Sequence, residues 1–347
     1  MTDAPKTLRT IDDLAAAGVV GEGAGPRLAD VARRYAVAIT PDMARLIDRD
    51  DPADPIARQF VPDARELDVL PGERDDPIGD HVHEKVPGLV HRYPDRVLLK
   101  VTHACPVYCR FCFRREMVGP GGPPLMSGDR LARAVDYIRA RPEIFEVILT
   151  GGDPLVLAPR RLAEIATELG RVPQVQVLRW HTRVPVVDPE RVDDAMAAAL
   201  GASGKATFLA IHANHVRELT PAAVAAIGRL RRAGIVLLSQ TVLLKGVNND
   251  VAALADLFRR FVALGIKPYY LHHADLAPGT GHFRTSLAEG QALMRALRGR
   301  VTGLALPTYV LDIPGGFGKV PVGPSHIDET AGTVTDPNGI AHRYPVS

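Results

Sequence analysis

Cysteine is almost absent from this 347-residue sequence: it occurs three times, always within CPVYCRFC, residues 105–112. An odd number of cysteines this close together makes a poor disulfide framework, because one thiol is always left without a partner. In a reducing compartment such a cluster more often binds metal or takes part in catalysis. The scarcity of cysteine therefore argues against a disulfide-stabilised fold and directs attention to one short segment.

Long apolar runs and an excess of one charge are also missing. Runs such as GIVLL are far shorter than the roughly 20 residues of a membrane-spanning helix, and 42 basic residues face 40 acidic ones. No block of like charge indicates binding to nucleic acid or to an anionic membrane. The first residues, MTDAPKTLRT, lack the apolar core of a secretory signal. We therefore expect a cytoplasmic protein with neither membranes nor nucleic acid as partners.

Lysine is scarce as well, with 7 residues against 35 arginines, so each lysine is of interest. Lys319 stands in DIPGGFGK, residues 312–319, beside three glycines. A surface turn with a solvated lysine is one interpretation. The other is a Schiff-base lysine for pyridoxal phosphate (PLP), since glycines let the backbone approach a cofactor closely. Arg92 and Arg96 would then bind the phosphate through the planar guanidinium fork.

From Arg96 onwards, short β-forming runs alternate with segments of helix length. Strands are predicted at 96–102, 145–152, 175–182, 206–213, 235–244 and 267–275, with amphipathic helices between them. This alternation predicts a parallel sheet covered by helices, either doubly wound or barrel-shaped. Residues 1–50 are predicted to be mostly helical, and 51–95, rich in Pro and Asp, to be irregular. A final apolar strand should run into the glycine-rich loop of Lys319.

Polar residues gather where the predicted strands end, at Cys105, residues 151–153, residues 181–183, His212, Asn214, Gln240 and Asp275. In a barrel of parallel strands the active site lies at the carboxyl ends of the strands. The sequence therefore predicts a site that faces one rim of the sheet.

The three cysteines have the spacing CxxxCxxC, for which several interpretations stand side by side. Structural zinc needs four ligands, and His103 could supply the fourth. Iron–sulfur clusters are also held by cysteine thiolates, commonly four. With three cysteines, one iron of a four-iron cluster lacks a thiolate and can bind a substrate or cofactor. The plainest reading is that the cysteines are small buried residues without chemistry.

CxxxCxxC after a first strand, with LTGGDPL at 149–155 after the second, resembles the radical S-adenosylmethionine (SAM) superfamily. The resemblance implies that Cys105, Cys109 and Cys112 hold a [4Fe-4S] cluster whose fourth iron binds SAM. It also implies that Gly151, Gly152 and Asp153 contact SAM, and that the reduced cluster cleaves SAM to a 5′-deoxyadenosyl radical.

With the glycine-loop lysine added, the sequence is similar to the lysine 2,3-aminomutase family. The similar blocks run from about residue 53 to 325 and include HRYPDRVLL, CFRRE, QTVLLKGVN and LPTYVLDIPGGFGK. The resemblance implies an isomerase that interconverts L-lysine and β-lysine by a 1,2-amino shift. It also implies a partial (β/α)6 radical SAM barrel at 91–290, an N-terminal helical extension at 1–90 and a C-terminal segment at 291–347 that carries the PLP lysine.

The resemblance further assigns roles to individual residues. Lys319 carries PLP, Arg92, Tyr93 and Arg96 surround it, Gln240 and His212 face SAM, Arg114 binds the substrate α-carboxylate, and Asp275 and Asp312 bind its distal ammonium. A buried ammonium must be paired, so two carboxylates suit a lysine-like substrate. A glutamate-type substrate would bring the wrong charge there.

Several alternatives and one departure accompany this hypothesis. The substrate could be arginine or glutamate, the product could be β-lysine destined for elongation factor P, or the chain could be an iron–sulfur electron-transfer protein without catalysis. Family members with a subunit-linking zinc site have extra cysteines and a longer C-terminal region, and this sequence has no such cysteines. The expected partners are a small amino acid, an electron donor such as flavodoxin or ferredoxin, and further copies of the chain in a homo-oligomer.

Overall fold

The centre of the computed structural model, which describes residues 6–21, 25–119 and 126–344, is a ten-stranded sheet in which strand order follows chain order. The strands are β1 Glu84–Val86, β2 Leu89–Tyr93, β3 Arg96–Thr102, β4 Glu146–Gly151, β5 Val177–Thr182, β6 Ala206–His212, β7 Val236–Leu243, β8 Lys267–His273, β9 Thr308–Ile313 and β10 Gly318–Pro321. Strands β3 to β9 are parallel, while β1, β2 and β10 pair antiparallel with their neighbours. A separate small antiparallel sheet contains β11 Ile327–Asp328, β12 Thr333–Thr335 and β13 Ala341–Arg343.

Helices precede the sheet and connect its parallel strands. They are α1 Ile11–Ala16, α2 Gly25–Arg34, α3 Pro41–Leu46, α4 Ala57–Phe60, α5 Gly128–Arg139, α6 Pro159–Gly170, α7 Val184–Val187, α8 Asp194–Leu200, α9 Pro221–Arg232, α10 Val251–Ala263 and α11 Leu287–Leu297. Single 3₁₀ turns lie at Ala64–Leu67, Pro154–Val156, Pro189–Arg191, Val216–Glu218, Gly281–Phe283 and Gly303–Ala305. None of the helices in the described ranges is both long and apolar enough to cross a membrane.

The connecting helices form where the sequence supplies a cap and an apolar stripe. Helix α10 begins after Asp250, whose side chain accepts from the amides of Ala252 and Ala253. Leu254, Phe258 and further residues on the same face are fully buried in the core. This three-to-four-residue spacing places one face of the helix on the sheet and leaves the other in solvent. Helices α5 and α9 have the same arrangement, while α6 has the buried stripe and begins at Pro159 without a side-chain cap. Because each helix returns the chain to the start of the next parallel strand, the carboxyl ends of the strands lie at one rim.

The structure confirms the α/β class and the six predicted strands, and it corrects the expectations for two other segments. Residues 51–95 are not irregular throughout, because β1 and β2 extend the sheet and α4 lies ahead of them. Leu89 and Val90 of β2 are fully buried against β3. Residues 188–200, expected to form one helix, are helical only from Asp194, after a 3₁₀ turn that begins at Pro189. The division of the chain into three parts stays a prediction. The central sheet takes strands from all three of these parts.

No strand pairing in the described part of the chain joins β1 or β2 to β10, so the sheet is an open barrel. Side chains instead bring its two edges together. The Lys319 amide donates to Tyr93 Oη at 2.7 Å, and Arg92 Nη1 lies 3.4 Å from Asp312 Oδ1. We call this contact between residues 77–93 and 312–319 the seam. It closes the barrel at the place where the glycine-rich loop carries its lysine.

Glycines allow the two backbones of the seam to meet. Gly79 has φ +70°, and a Cβ atom added to it would lie 2.6 Å from Gly316 Cα. His83 Nε2 hydrogen-bonds to the Gly316 carbonyl at 2.9 Å, and the Gly315 amide donates to the Pro77 carbonyl at 3.1 Å. The loop therefore rests directly on the segment before β1, with no room for a side chain between them.

Candidate active site

A cavity of about 530 Å³ lies inside the curved sheet, and every residue assigned a role from the sequence lines it. These residues are Arg92, Tyr93, Arg96, Cys105, Cys109, Cys112, Arg114, Gly151, Gly152, Asp153, His212, Gln240, Asp275, Asp312 and Lys319. The structure thus brings together, in one place, residues from seven strands and three loops.

The three cysteines follow β3 in a loop that faces the cavity. Burial raises the pKa of the Cys112 thiol to about 11 and that of Cys105 well above its usual value. Arg183 Nη1 lies 2.8 Å from Cys109 Sγ. Its other nitrogen donates to Glu218 at 2.7 Å and to Gln59 at 2.5 Å, so the guanidinium is fixed beside the sulfur. A fixed cation suits thiolates that hold a metal cluster, because it offsets their negative charge.

The zinc interpretation with His103 as fourth ligand is not supported by the structure. His103 lines a different cavity, and its Nδ1 hydrogen-bonds to the Met117 carbonyl at 3.0 Å. Within the described ranges, no three metal-ligating side chains converge on a single-ion site. Three thiols with no fourth ligand therefore fit a four-iron cluster with one open iron better than a closed zinc site.

Gly151 and Gly152 pack the end of β4 against the chain that leads to the cysteines. A Cβ atom on Gly151 would clash with the Thr102 carbonyl, and one on Gly152 with the Ala104 carbonyl. The Gly152 amide donates to the Thr102 carbonyl at 2.6 Å. Only glycine fits this approach, so the end of β4 lies directly against the start of the cysteine loop. Both glycines also line the cavity, which fits their expected contact with SAM next to the cluster.

The Asp153 carboxylate accepts its hydrogen bonds from groups of the protein itself. It accepts from Thr182 Oγ1 at 2.7 Å, from the Arg183 amide at 2.7 Å and from the Leu155 amide at 3.0 Å. Burial raises the pKa of this carboxyl, and the hydrogen bonds oppose that rise. The observed arrangement links the ends of β4 and β5, and a contact of Asp153 with SAM stays a prediction.

His212 and Gln240 are cross-strand partners on β6 and β7, and both side chains face the cavity. Burial lowers the pKa of His212 to about 4, while a hydrogen bond with Gln240 opposes the change. His212 is therefore neutral at pH 7. A neutral imidazole and an amide offer hydrogen bonds without charge, which fits the polar groups of a nucleoside.

Arg114 is held by a residue that sequence reasoning did not find. Its Nε donates to Asp80 Oδ2 at 2.9 Å, and Nη1 donates to Thr150 Oγ1 at 3.3 Å. Asp80 is fully buried, and its second oxygen lies 3.8 Å from Arg92 Nη2. The only signal for Asp80 was its place in an acidic segment that reads as irregular. One carboxylate thus connects the arginine assigned to the substrate with an arginine assigned to PLP.

Asp275 and Asp312 form an acidic pair in the lining of the same cavity. Burial raises the pKa of Asp275 to about 7, and the neighbouring Asp312 contributes to this rise. Asp312 itself lies between Arg92 and Lys319, with which it makes ion pairs. Two carboxylates this close repel each other, so a cation that enters between them would be stabilised.

Lys319 points into the cavity from β10, where it is the cross-strand partner of Asp312. Its Nζ lies 3.3 Å from His272 Nδ1 and 5.6 Å from the centroid of the Tyr270 ring. Arg96 stacks over the Tyr93 ring at 3.8 Å. A cavity lysine surrounded by aromatic rings and arginines fits PLP, because these groups suit its ring and its phosphate.

Further residues line the cavity that the sequence had not singled out for a role. They include Glu146, His181, Tyr269, Tyr270, His272 and the Arg179 that pairs with Glu146 at 3.0 Å. They stand on inward-facing positions of buried strands, where periodicity shows a core position but not its function. Arg183 and His181 were visible only as polar residues at the end of a strand.

Comparison with known proteins identifies the same family that the sequence motifs resemble. The family model described as Radical SAM superfamily matches residues 99–258, and the one described as Lysine-2,3-aminomutase matches residues 294–333. The L-lysine 2,3-aminomutase of Clostridium subterminale is 39% identical over 300 residues, which are 86% of this chain and 72% of the relative. That of Bacillus subtilis (strain 168) is 36% identical over 321 residues, 92% of this chain and 68% of the relative.

The substrate is not uniform among the relatives. The glutamate 2,3-aminomutase of Clostridioides difficile (strain 630) is 35% identical over 298 residues, 86% of this chain and 70% of the relative. The family's cofactors are a [4Fe-4S] cluster, SAM and PLP. With identities of 35% and more over most of its length, this chain belongs to the lysine 2,3-aminomutase family of radical SAM enzymes and is an isomerase that acts on a small amino acid with the help of a reductant.

Proposed function

We propose that this chain interconverts L-lysine and β-lysine by a 1,2-amino shift, with PLP carried on Lys319. The observation that carries the proposal is that one cavity holds both kinds of charge: Arg114 and the acidic pair Asp275 and Asp312 all line it. An amino acid with a distal ammonium finds a cation for its carboxylate and carboxylates for its ammonium. The side-chain carboxylate of glutamate would instead meet the acidic pair and be repelled.

Arginine carries the right distal charge but is a poorer match. Its guanidinium is planar and presents five donors in a fixed fork, and its side chain is longer than that of lysine. The acidic pair already faces the compact ammonium of Lys319. A second compact ammonium suits the same acceptors, so lysine is the proposed substrate.

The residues that would hold each cofactor follow from the cavity lining. Cys105, Cys109 and Cys112 hold the cluster, with Arg183 beside one sulfur, and the glycine backbone at 151–152 with His212 and Gln240 accommodates SAM. Lys319, Tyr93, Arg92 and Arg96 hold PLP. When bound, these groups supply a radical for hydrogen abstraction and a conjugated ring that stabilises the migrating centre.

The part of the chain itself is to orient the substrate and to exclude water. Arg114 fixes the carboxylate, and the acidic pair fixes the ammonium, so that the α- and β-carbons are held between two anchors. Asp80 and Thr150 keep the Arg114 guanidinium in one orientation. In the structure, the free amine of Lys319 donates a hydrogen bond to Asp312.

Partners and location complete the proposal. The cluster receives its electron from a flavodoxin or ferredoxin in the cytoplasm, and the chain forms a homo-oligomer. Electron paramagnetic resonance of the cluster after mixing with a reduced flavodoxin tests the first statement. Sedimentation of the holoenzyme tests the second, and a monomer would contradict it.

The decisive experiment is an anaerobic assay with SAM, PLP and a chemical reductant. L-lysine, L-glutamate and L-arginine are supplied in turn, and β-amino acid products are read by mass spectrometry after chromatography. We expect β-lysine from lysine and no β-isomer from the other two. Conversion of glutamate or arginine without conversion of lysine would refute the substrate assignment.

The PLP assignment has its own test. Lys319→Ala should lose the cofactor absorbance on gel filtration, whereas Lys85→Ala, at an exposed lysine, should keep it. Equal retention of the cofactor in both variants would refute the role of Lys319.

A further inference from the structure

We infer that His272 is a specificity-determining acceptor in the distal-ammonium site and that it selects a primary ammonium over a methylated one. The inference rests on the proposed role of Asp275 and Asp312. His272 stands on β8 and lines the cavity. Its Nδ1 lies 4.0 Å from Asp312 Oδ2 and 3.3 Å from Lys319 Nζ.

The side chain of Lys319 shows how a primary ammonium fits at this place. Its Nζ donates to Asp312 Oδ2 and lies within hydrogen-bond distance of His272 Nδ1. An ammonium group has three N–H donors, and buried donors require acceptors. The structure therefore shows two acceptors around one ammonium. Asp275 lines the same cavity, and the charge of Lys319 acts to lower its pKa, so we assign Asp275 as the third acceptor for the substrate.

His272 acts here as an uncharged acceptor. Burial lowers the pKa of His272 well below its usual value, and the nearby Lys319 and His212 lower it further. An ammonium that donates to Nδ1 places the ring proton on Nε2. A neutral imidazole adds no charge to the site, so it responds to the number of N–H donors and not to the charge of the ligand.

This response distinguishes His272 from the carboxylates. Lysine and Nε-methyllysine carry the same charge, and the acidic pair attracts both. Nε-methyllysine has two N–H donors for three acceptors, so one acceptor stays unsatisfied in a buried site, which is costly. If the imidazole acceptor is removed, two donors meet two acceptors and the penalty disappears.

The chain offers a matched control at the next position. His273 points to the opposite face of β8, because successive side chains of a strand alternate. Its Nδ1 hydrogen-bonds to Tyr309 Oη at 2.7 Å, and it does not line the cavity. The same substitution at 272 and at 273 therefore separates an effect in the site from a general effect on the strand.

The test compares the holoenzyme with His272→Asn, His272→Phe and His273→Phe. The ratio of kcat/KM for lysine to that for Nε-methyllysine is measured, together with the Kd of each ligand from the change in cofactor absorbance without reductant. We expect a preference for lysine of about tenfold in the wild type. Asn keeps an acceptor near Nδ1 and should keep this preference, as should His273→Phe, whereas His272→Phe should reduce it to about twofold. Phenylalanine is no smaller than histidine, so extra room cannot explain a reduced preference.

A wild-type ratio in His272→Phe, or an equal loss in His273→Phe, would overturn the inference. The Kd ratios decide the question even for a variant without turnover. If the proposed function is wrong, the result differs from a failure of this inference alone, because the wild type itself would then not convert lysine. In that case the inference falls with it, whereas lysine turnover with an unchanged ratio refutes only the role of His272.

Discussion

At the scale of single residues, Asp275 gives the site a dependence on pH. Burial and the neighbouring Asp312 raise the pKa of Asp275 to about 7. Below this value the carboxyl is protonated and neutral, and above it the ionised form supplies the second negative charge for an ammonium. Lysine should therefore bind more tightly as the pH rises through 7. Binding of lysine to the PLP-loaded protein between pH 6 and 8, followed by cofactor absorbance, measures this.

Asp275→Asn is the control for this prediction. The amide cannot ionise, so the variant should bind lysine more weakly and with an affinity that is flat over the same range. A wild-type curve as flat as that of Asp275→Asn would show that another group, or none, governs binding.

In the proposed function, Asp80 positions Arg114 for the substrate carboxylate. Its carboxylate is buried and accepts from Arg114 Nε at 2.9 Å. Truncation of one partner of a buried, hydrogen-bonded charge pair costs about 2–5 kcal/mol. Asp80→Ala should therefore raise the KM for lysine tenfold or more with a much smaller change in kcat, and Asp80→Asn, which keeps an acceptor, should recover part of the loss. Asp75→Ala, at an exposed acid in the same segment, should behave as wild type.

Binding of lysinamide distinguishes two roles of Asp80, which are to orient Arg114 and to support the fold. Lysinamide lacks the carboxylate that Arg114 binds, so Asp80→Ala should leave its weak binding unchanged. An equal loss of affinity for lysine and lysinamide would mean that Asp80 supports the fold and does not position Arg114.

At the scale of elements, the seam joins the two edges of the sheet, which a pair of hydrogen-bonded strands would join in a closed barrel. Gly79 has a positive φ and contacts the glycine-rich loop so closely that a Cβ atom added to it would clash with that loop. Gly79→Ala should therefore destabilise the protein by about 1–3 kcal/mol and weaken PLP retention. Thermal unfolding and cofactor titration measure the two effects.

Gly72 provides a matched comparison for this substitution. Its φ of +88° is as strained for alanine as that of Gly79, but an added Cβ would lie 4.0 Å from Leu276, an ordinary contact. Gly72→Ala should lose some stability and keep its PLP affinity. A fall in PLP affinity in both variants would show that backbone strain, and not the seam, controls cofactor binding.

Elements were predictable from the sequence to different degrees. Six of the seven parallel strands were predicted with bounds correct to within two residues, because they are short runs rich in β-branched, aromatic and other apolar residues between helix-length segments. Strands β1 and β2 were missed because Pro and Asp dominate their surroundings. Strands β11 to β13 are short, partly exposed and polar, and they carry no pattern that distinguishes them from loop.

At the scale of the whole molecule, the sequence predicted which residues share a cavity but not how they pair. Motifs such as CxxxCxxC and GGFGK identify chemistry by residue type and spacing. The pairing of Asp80 with Arg114, of Arg183 with Cys109 and of His272 with Lys319 depends on contacts between distant segments. Such contacts arise only once the barrel is closed, so they leave no local pattern.

The seam also sets an order of events in refolding. Tyr93 and Lys319 are 226 residues apart in the chain, while neighbouring strands of the sheet follow one another directly. Closing a long loop has a high entropic cost, so distant contacts form after local ones. After dilution from denaturant, circular dichroism should recover before the capacity to bind PLP. Simultaneous recovery of both signals would contradict this order.

The same distance has a consequence for synthesis on the ribosome. Translation delivers the cysteine loop and the parallel strands first, and domains begin to fold from the N-terminal side as the chain emerges. Lys319 follows strands β3 to β9 in the chain, so the amine proposed to carry PLP is made only after those strands. A nascent chain would therefore be able to acquire its iron–sulfur cluster before it can hold PLP, and the two cofactors would be loaded in a fixed sequence.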